Sequence, residues 1–312
     1  MWLAFRIGKV MVKIFSRPSL MSFSAGAADL SFRLSRGFRE RSIRNLSVAM
    51  GAELDPPEIA ALARRSLRNF FHDFVEIGFA LESSTEQIRA EIPLRGREHL
   101  EAALAKGNGV IALSAHLGNF FLIGTRLAAE GVPIHVLINL PRNGRLAELM
   151  NRYRQRVGQK TIPARPRRQA SQRLAHVLRQ NQVAMVIADE FRSGSGVYVP
   201  FFGHTVLARR GPATLALRTG AALVPIYVIR ESKGWLSLTI EPEIELLRTG
   251  NIKADVTEGS RRITQWLERT VRAYPDQWNW MNIHWHQPSD LGKNHSYETM
   301  TREKPLQREE TK

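Results

Sequence analysis

The stretch VIALSAHLGNFFLIG, residues 110–124, decides the fold. Its opening run, Val110 to Ala115, is short, apolar and bounded by Asn108-Gly109 on one side and Leu117-Gly118-Asn119 on the other, so it reads as a buried strand rather than a helix. His116 then stands at the carboxyl end of that strand, the rim at which open α/β sheets bind their ligands. Asn119 is placed to cap a following helix that carries Phe120, Phe121, Ile123, Gly124 and Leu127 inward, with the positive end of its dipole beside the imidazole and substrate within reach. On this segment alone His116 reads either as a reaction centre or as a strand-terminal histidine bonded to a loop carbonyl.

The rhythm set by this stretch repeats downstream. A helix over 119–130 is followed by the strand IHVLIN, a helix over 144–157, the strand KTIPA, a helix over 169–180 and the strand VAMVIAD. Then come VYVPFFG, a helix opening at Gly211-Pro212, the strands LVPIYVIRE and WLSLTIEPEIEL, and a helix from about 254 to 273. Such alternation requires crossovers and predicts an α/β fold with a mostly parallel central sheet flanked by helices. Upstream, Asp55-Pro56-Pro57-Glu58 starts a helix running to about Leu81, whose apolar stripe is Ile59, Leu62, Leu67, Phe70, Phe74, Ile77 and Phe79. A further helix covers 97–105, and Gly107-Asn108-Gly109 is a turn, since it lacks the spacing of a phosphate loop. The expected organisation is a basic amphipathic helix over 1–20, a helical preface over 21–90, the α/β domain over 91–288 and a polar, disordered tail over 289–312.

The chain has 312 residues, 45 Lys and Arg against 29 Asp and Glu, and a formal charge of +16, which calls for anionic partners. Without cysteine it has no disulfide, thiolate metal site or cysteine nucleophile. In MWLAFRIGKVMVKIFSRP the cations Arg6, Lys9, Lys13 and Arg17 fall on one helix face opposite Trp2, Phe5 and Ile14. The apolar stretch is too interrupted to span a bilayer, so it is expected to lie in an anionic membrane surface, the alternative being an ordinary amphipathic helix docked on the protein's own core. None of the usual nucleic-acid-binding signatures is present, and no nucleic-acid partner is expected.

Several positions could converge on His116. VAMVIAD ends in Asp189-Glu190 at a second strand terminus, where a carboxylate accepting from one ring nitrogen would raise the basicity of the other; pairing of both acids with arginines such as Arg192 is the equal alternative. Arg209-Arg210-Gly211 joins two cations to a helix start and suits a phosphate or a developing oxyanion. His284-Trp285-His286 reads as packing, Ser193-Gly194-Ser195-Gly196 as a mobile loop, and no GxSxG elbow occurs. No metal and no cofactor is expected.

These blocks resemble the bacterial lipid A late acyltransferases, the lauroyl and myristoyl transferases of the lysophospholipid acyltransferase-like group. RSIRNLSVAM, SAHLGNFF, RYRQRVG, ADEFRSGSGVYVPFFG with GPATLALRTGAALVP, and YPDQWNWMNIHW carry the likeness, from about Arg41 to Trp285. The resemblance implies a glycerolipid-acyltransferase-like fold with N-terminal membrane-associating helices at the cytoplasmic face of the bacterial inner membrane. It implies acyl transfer from an acyl carrier protein thioester, or acyl-CoA, to a hydroxyl of a lipid A precursor or related membrane glycolipid, with an apolar tunnel for the acyl chain. It maps the catalytic histidine onto His116, an important arginine onto Arg154, the acid of the later block onto Asp189 and the next strand end onto Phe201-Phe202-Gly203. One position departs: the family pattern has Asp or Glu five residues after the histidine, and here that residue is Phe121. Either Asp189 or Glu190 takes over, or His116 works alone and slowly, or the chain has kept the fold as a lipid-binding or scaffold protein.

Overall fold

The computed structural model describes residues 8, 10–141, 143–191, 196–232, 234–281, 283 and 285. Ser193-Gly194-Ser195, His284, His286, residues 1–7 and the tail over 289–312 lie outside the described residues. Three helices come first, α1 (Arg17–Leu34), α2 (Arg36–Met50) and α3 (Pro56–Ala80), then a short α4 (Thr85–Glu91). The strands β1 (Leu94–Arg95), β2 (Val110–Ser114), β3 (Ile134–Ile138), β4 (Gln159–Pro163), β5 (Val183–Ile187), β8 (Ala222–Arg230) and β9 (Leu236–Ile240) form one sheet in the order β1-β9-β8-β2-β5-β3-β4. Between β5 and β8 the chain makes a separate antiparallel hairpin, β6 (Val197–Phe201) with β7 (His204–Ala208). The remaining helices are α5 (Arg97–Ala105), α6 (Ile123–Ala129), α7 (Gly144–Arg156), α8 (Arg167–Arg179), α9 (Gly211–Thr219) and α10 (Ile252–Ala273).

The stretch that decides the fold sits at the centre. All residues of β2 are buried, and it runs parallel to β5 on one side and to β8 on the other. Continuous burial on both faces is why this strand is unbroken in its apolar character instead of alternating. The β2/β5 ladder pairs Ser114 with Ile187, so the positions two residues beyond, His116 and Asp189, leave the rim side by side. Within this sheet only β8 and β9 pair antiparallel among the described residues, and β1 follows β9 in direction.

Five expectations are corrected in detail. The helix expected over 119–130 begins as a 3-10 turn, Phe120–Leu122, before α6, and Asn119 makes no capping bond. The helix expected over 1–20 is interrupted: residues 10–14 are helical, the chain turns at Phe15, and α1 starts anew because Ser16 caps it and Pro18 occupies its first turn. WLSLTIEPEIEL is strand only as far as Ile240, because Pro242 has no N–H to continue the ladder. HTVLA, not foreseen as a strand, becomes β7 through a two-residue turn in which Phe202 and Gly203 both take positive φ, 50° and 73°, as tight hairpins require.

The fifth concerns α3, and it matters most. Its start is as expected, with a capping box between Asp55 and Glu58, and Ile59, Leu62 and Leu67 are buried. Further along the pattern inverts: Asp73 and Glu76 are buried while Phe70 and Phe74 face outward. No described helix is long and apolar enough to cross a membrane.

Candidate functional site

At the rim of β2 and β5 the Asp189 carboxylate is enclosed by three donors. Its Oδ1 lies 2.8 Å from His116 Nδ1, and its Oδ2 accepts from the His116 backbone N–H at 2.8 Å and from Trp278 Nε1–H at 2.8 Å. Burial pushes the carboxyl upward, but the His116 charge and these hydrogen bonds outweigh it and hold Asp189 below the ordinary aspartate range. A carboxylate can only accept, so it fixes the imidazole proton on Nδ1 and leaves Nε2 as the basic nitrogen. The His116 side chain is 27% exposed, whereas that of Asp189 is sealed.

His116 opens onto a cavity of about 410 Å3, within the size range of small-molecule sites. Its walls come from three directions. Ser31, Phe38, Leu67, Phe70 and Phe71 are contributed by α1 to α3, Gly118 and Phe120 by the loop after β2, and Trp278 and Trp280 by the segment after α10. That last segment is strapped across the loop: Gly118 N–H donates to Gln277 O at 2.8 Å and Asn279 N–H to His116 O at 3.1 Å. The preface helices hold the strap from the other side, through Ser66 Oγ to Trp278 O, Asn69 Nδ2 to Asp276 O and Asn45 Nδ2 to Trp280 O. Gly118 is required here. It sits at φ 52°, and a Cβ would lie 1.9 Å from the Val228 carbonyl oxygen.

Behind the cavity the inverted end of α3 meets the last residue of β8. Arg230 donates to Glu76 through Nε (3.0 Å) and Nη2 (2.8 Å), to Asn69 Oδ1 at 2.7 Å and to Asp73 Oδ1 at 3.2 Å. Asn119 joins the group, its amide donating to Glu76 Oε2 at 2.9 Å and to the Asp73 carbonyl at 3.2 Å. Burial and the neighbouring Glu76 charge, against the pull of Arg230, push the Asp73 carboxyl up to about 8.

Asp189 and His116 are therefore brought together, and the other expected site residues stand elsewhere. Asn119 is buried and pinned to α3, so it is neither a helix cap nor open to substrate. Glu190 turns away from the histidine and faces Arg209 at 3.7 Å. Arg210 and Gly211 are exposed at the start of α9. Phe201 and Phe202 are buried beneath the site, Phe201 against Phe191 and Trp278 and Phe202 against Trp280 and under the Arg272 guanidinium, so they pack the core; Gly203 only turns the hairpin. Arg154 is buried on α7 beside Asn151, and α7 packs on β4, which β5 and β3 separate from β2; it is outside the cavity wall, and burial lowers its guanidinium below the ordinary value. Phe121 is not carried inward. It is 37% exposed, stacked on Phe120 at 4.1 Å and tilted toward Phe74 at 6.4 Å, and Phe120 in turn meets the His116 ring edge-on at 4.9 Å.

Two parts of the site escaped the sequence reading. Trp278 belongs to the tryptophan-rich close, and nothing local ties it to a carboxylate 89 residues earlier. The Arg230 group did leave a trace: Asn69, Asp73 and Glu76 follow helical spacing on the stripe that α3 buries.

Among known proteins, the chain is 26% identical over 271 residues to the phosphatidylinositol mannoside acyltransferase of Mycolicibacterium smegmatis, covering 86% of each. It is 28% identical over 191 residues to the protein of the same name from Mycobacterium tuberculosis, covering 61% of this chain and 58% of the relative. To the lipid A biosynthesis acyltransferase of Haemophilus influenzae it is 26% identical over 206 residues, 66% of this chain and 62% of the relative. The family described as bacterial lipid A biosynthesis acyltransferase matches residues 1–287, so the chain belongs to that family, enzymes that transfer acyl groups to a lipid acceptor.

Proposed function

We propose that this protein moves a fatty acyl group from an acyl thioester, borne by an acyl carrier protein or by coenzyme A, to a hydroxyl of a membrane glycolipid such as a lipid A precursor. The observation that carries this reading is the sealed Asp189 carboxylate on Nδ1 of a histidine that borders an aromatic-walled cavity. His116 Nε2 takes the proton of the acceptor hydroxyl as its oxygen bonds to the thioester carbonyl carbon, and Asp189 stabilises the imidazolium. The carbon–sulfur bond then breaks and the same proton leaves with the thiol.

The place of action follows from the exposed side chains near the cavity mouth. Phe70, Phe74 and Phe121 stand outward together, and α1 adds Phe23, Leu30 and Leu34 at helical spacing. Such a patch suits a bilayer surface, and the excess of cations suits anionic headgroups, at the cytoplasmic face of the bacterial inner membrane as the resemblance implies. Because Asp189 already supplies the partner acid, Phe121→Glu is expected to give no gain in turnover. It removes one apolar side chain from this surface, and vesicle binding should weaken about tenfold or more, from the roughly 1.5–3 kcal/mol of a buried Phe. Co-sedimentation with anionic vesicles, run beside the transfer assay, checks both halves.

The function itself is tested with the purified full chain, vesicles holding phosphatidylinositol mannosides or lipid A precursors, and long-chain acyl-CoA or acyl carrier protein as donor. Mass spectrometry should find the acceptor heavier by one acyl group. No product above a His116→Ala blank with any of these pairs would overturn the reading, and copurified lipid without turnover would make the chain a lipid-binding protein.

A further inference from the structure

The cavity has a second carboxyl group for which acyl transfer by His116 has found no use. Asp73 borders it from α3, on the same cavity that His116 borders from the rim of β2. The proton on this group follows from counting charges. Among the described residues Arg230 is the one guanidinium in contact with both buried acids, and it engages Glu76 by two bonds, at 3.0 and 2.8 Å, which neutralise it. Asp73 meets the same guanidinium only through Nη2 at 3.2 Å. A second carboxylate buried beside an already neutralised pair would be an uncompensated charge, so it keeps its proton. The other titratable groups around it are His72 on its own helix, and His116 and Asp276 on segments packed against that helix. His72 is held below the ordinary histidine value by burial and by nearby arginines, so it is neutral at pH 7 and adds no cation that would draw the proton off. The upward push on Asp73, to about 8, agrees with the count.

We propose that Asp73 is the acid of this site, a neutral carboxyl whose O–H is donated into the cavity to the carbonyl oxygen of the bound thioester. This rests on the acyl-transfer reading, and it gives Asp73 the role that backbone N–H groups play in other acyl-transfer sites. As the acceptor oxygen bonds to the carbonyl carbon, its proton passes to His116 and the carbonyl electron pair moves onto oxygen, where the Asp73 hydrogen bond meets the new charge. The pair returns, the carbon–sulfur bond breaks and His116 gives the proton to the departing thiolate. Asp73 keeps its own proton throughout.

The test compares Asp73→Asn, which still donates a hydrogen bond but cannot ionise, with Asp73→Leu, which does neither. In wild type kcat should fall as pH rises through about 8, where Asp73 ionises. Asp73→Asn should stay within about tenfold of wild type at pH 7 and lose that alkaline fall, while Asp73→Leu should lose roughly a hundredfold or more in kcat with KM little changed. A merely structural Asp73 would leave the alkaline fall in place in Asp73→Asn, and that result, or an Asp73→Leu as fast as wild type, overturns the proposal. Infrared difference spectra need no turnover: a protonated-carboxyl band at pH 7 that Asp73→Asn removes supports the proposal, and its absence overturns it even where transfer itself is demonstrated. If wild type transfers nothing but the band is present, it is the acyl-transfer reading that fails.

Discussion

Asp189→Asn is expected to lower the turnover number by about a thousandfold to ten-thousandfold while the protein stays folded. The carboxylate accepts at both oxygens, two donors on Oδ2 and the imidazole on Oδ1. An asparagine that keeps its oxygen under the His116 and Trp278 N–H groups must turn its NH2 toward Nδ1. The imidazole then has to accept there, its proton moves to Nε2, and the nitrogen that should take the acceptor's proton is blocked. KM for the donor should change little, because the cavity wall is intact, so the loss falls on kcat. The acid branch of stability should change as well. The folded carboxyl ionises at lower pH than the unfolded one, so its contribution is present above the ordinary value of about 4 and is lost as pH falls through the folded value. Melting curves of the variant should lack that share of the acid dependence. Turnover within tenfold of wild type would mean that the Asp189 pair orients nothing that matters to the reaction.

This pair was the most legible part of the site. Two apolar runs of strand length ending in His116 and Asp189 place both groups at one rim once the strands are neighbours, and rim positions are where such sheets work. The choice between Asp189 and Glu190 was not legible, because adjacent residues on a chain leaving a strand point opposite ways and only the three-dimensional path shows which turns inward. Arg154 illustrates the opposite hazard. A cation near the end of a helix reads as surface or as site, and here it is buried on a helix packed on β4, with two strands between β4 and the histidine's strand.

The cavity was the least legible part, since its walls come from segments distant in the chain. The run after Pro18 is helical because α1 and α2 pack against α3, not because it carries a clear apolar stripe, so tertiary packing overrode a weak local signal. On α3 the misreading has a definite cause. Phe70 and Phe74 continue the apolar count that begins at Ile59, but the inner face at that level is occupied by Asn69, Asp73 and Glu76. A burial pattern assigns aromatics inward by default, and the exception arises because Arg230 supplies, from β8, the partner that makes buried acids tolerable.

That dependence yields the second large effect. Arg230→Gln should lower the melting temperature by about 5–10 °C, corresponding to the roughly 3–5 kcal/mol of breaking a buried ion pair. Glu76 and Asp73 would remain inside without a cation, and the Glu76 carboxylate would lose the guanidinium that pairs with it. Adding Glu76→Gln removes the stranded charge, and two carboxamides can share a hydrogen bond, so the double variant should regain about 1–3 kcal/mol over Arg230→Gln alone. The strap should loosen in both, because the Arg230 side chain aligns the end of β8 where its backbone N–H and C=O are bonded to Gln277 at 2.7 and 2.8 Å, directly beside the loop that carries His116. A melting point of Arg230→Gln equal to wild type, or a double variant no better than the single one, would mean that the buried acids of α3 are compensated by something other than this guanidinium.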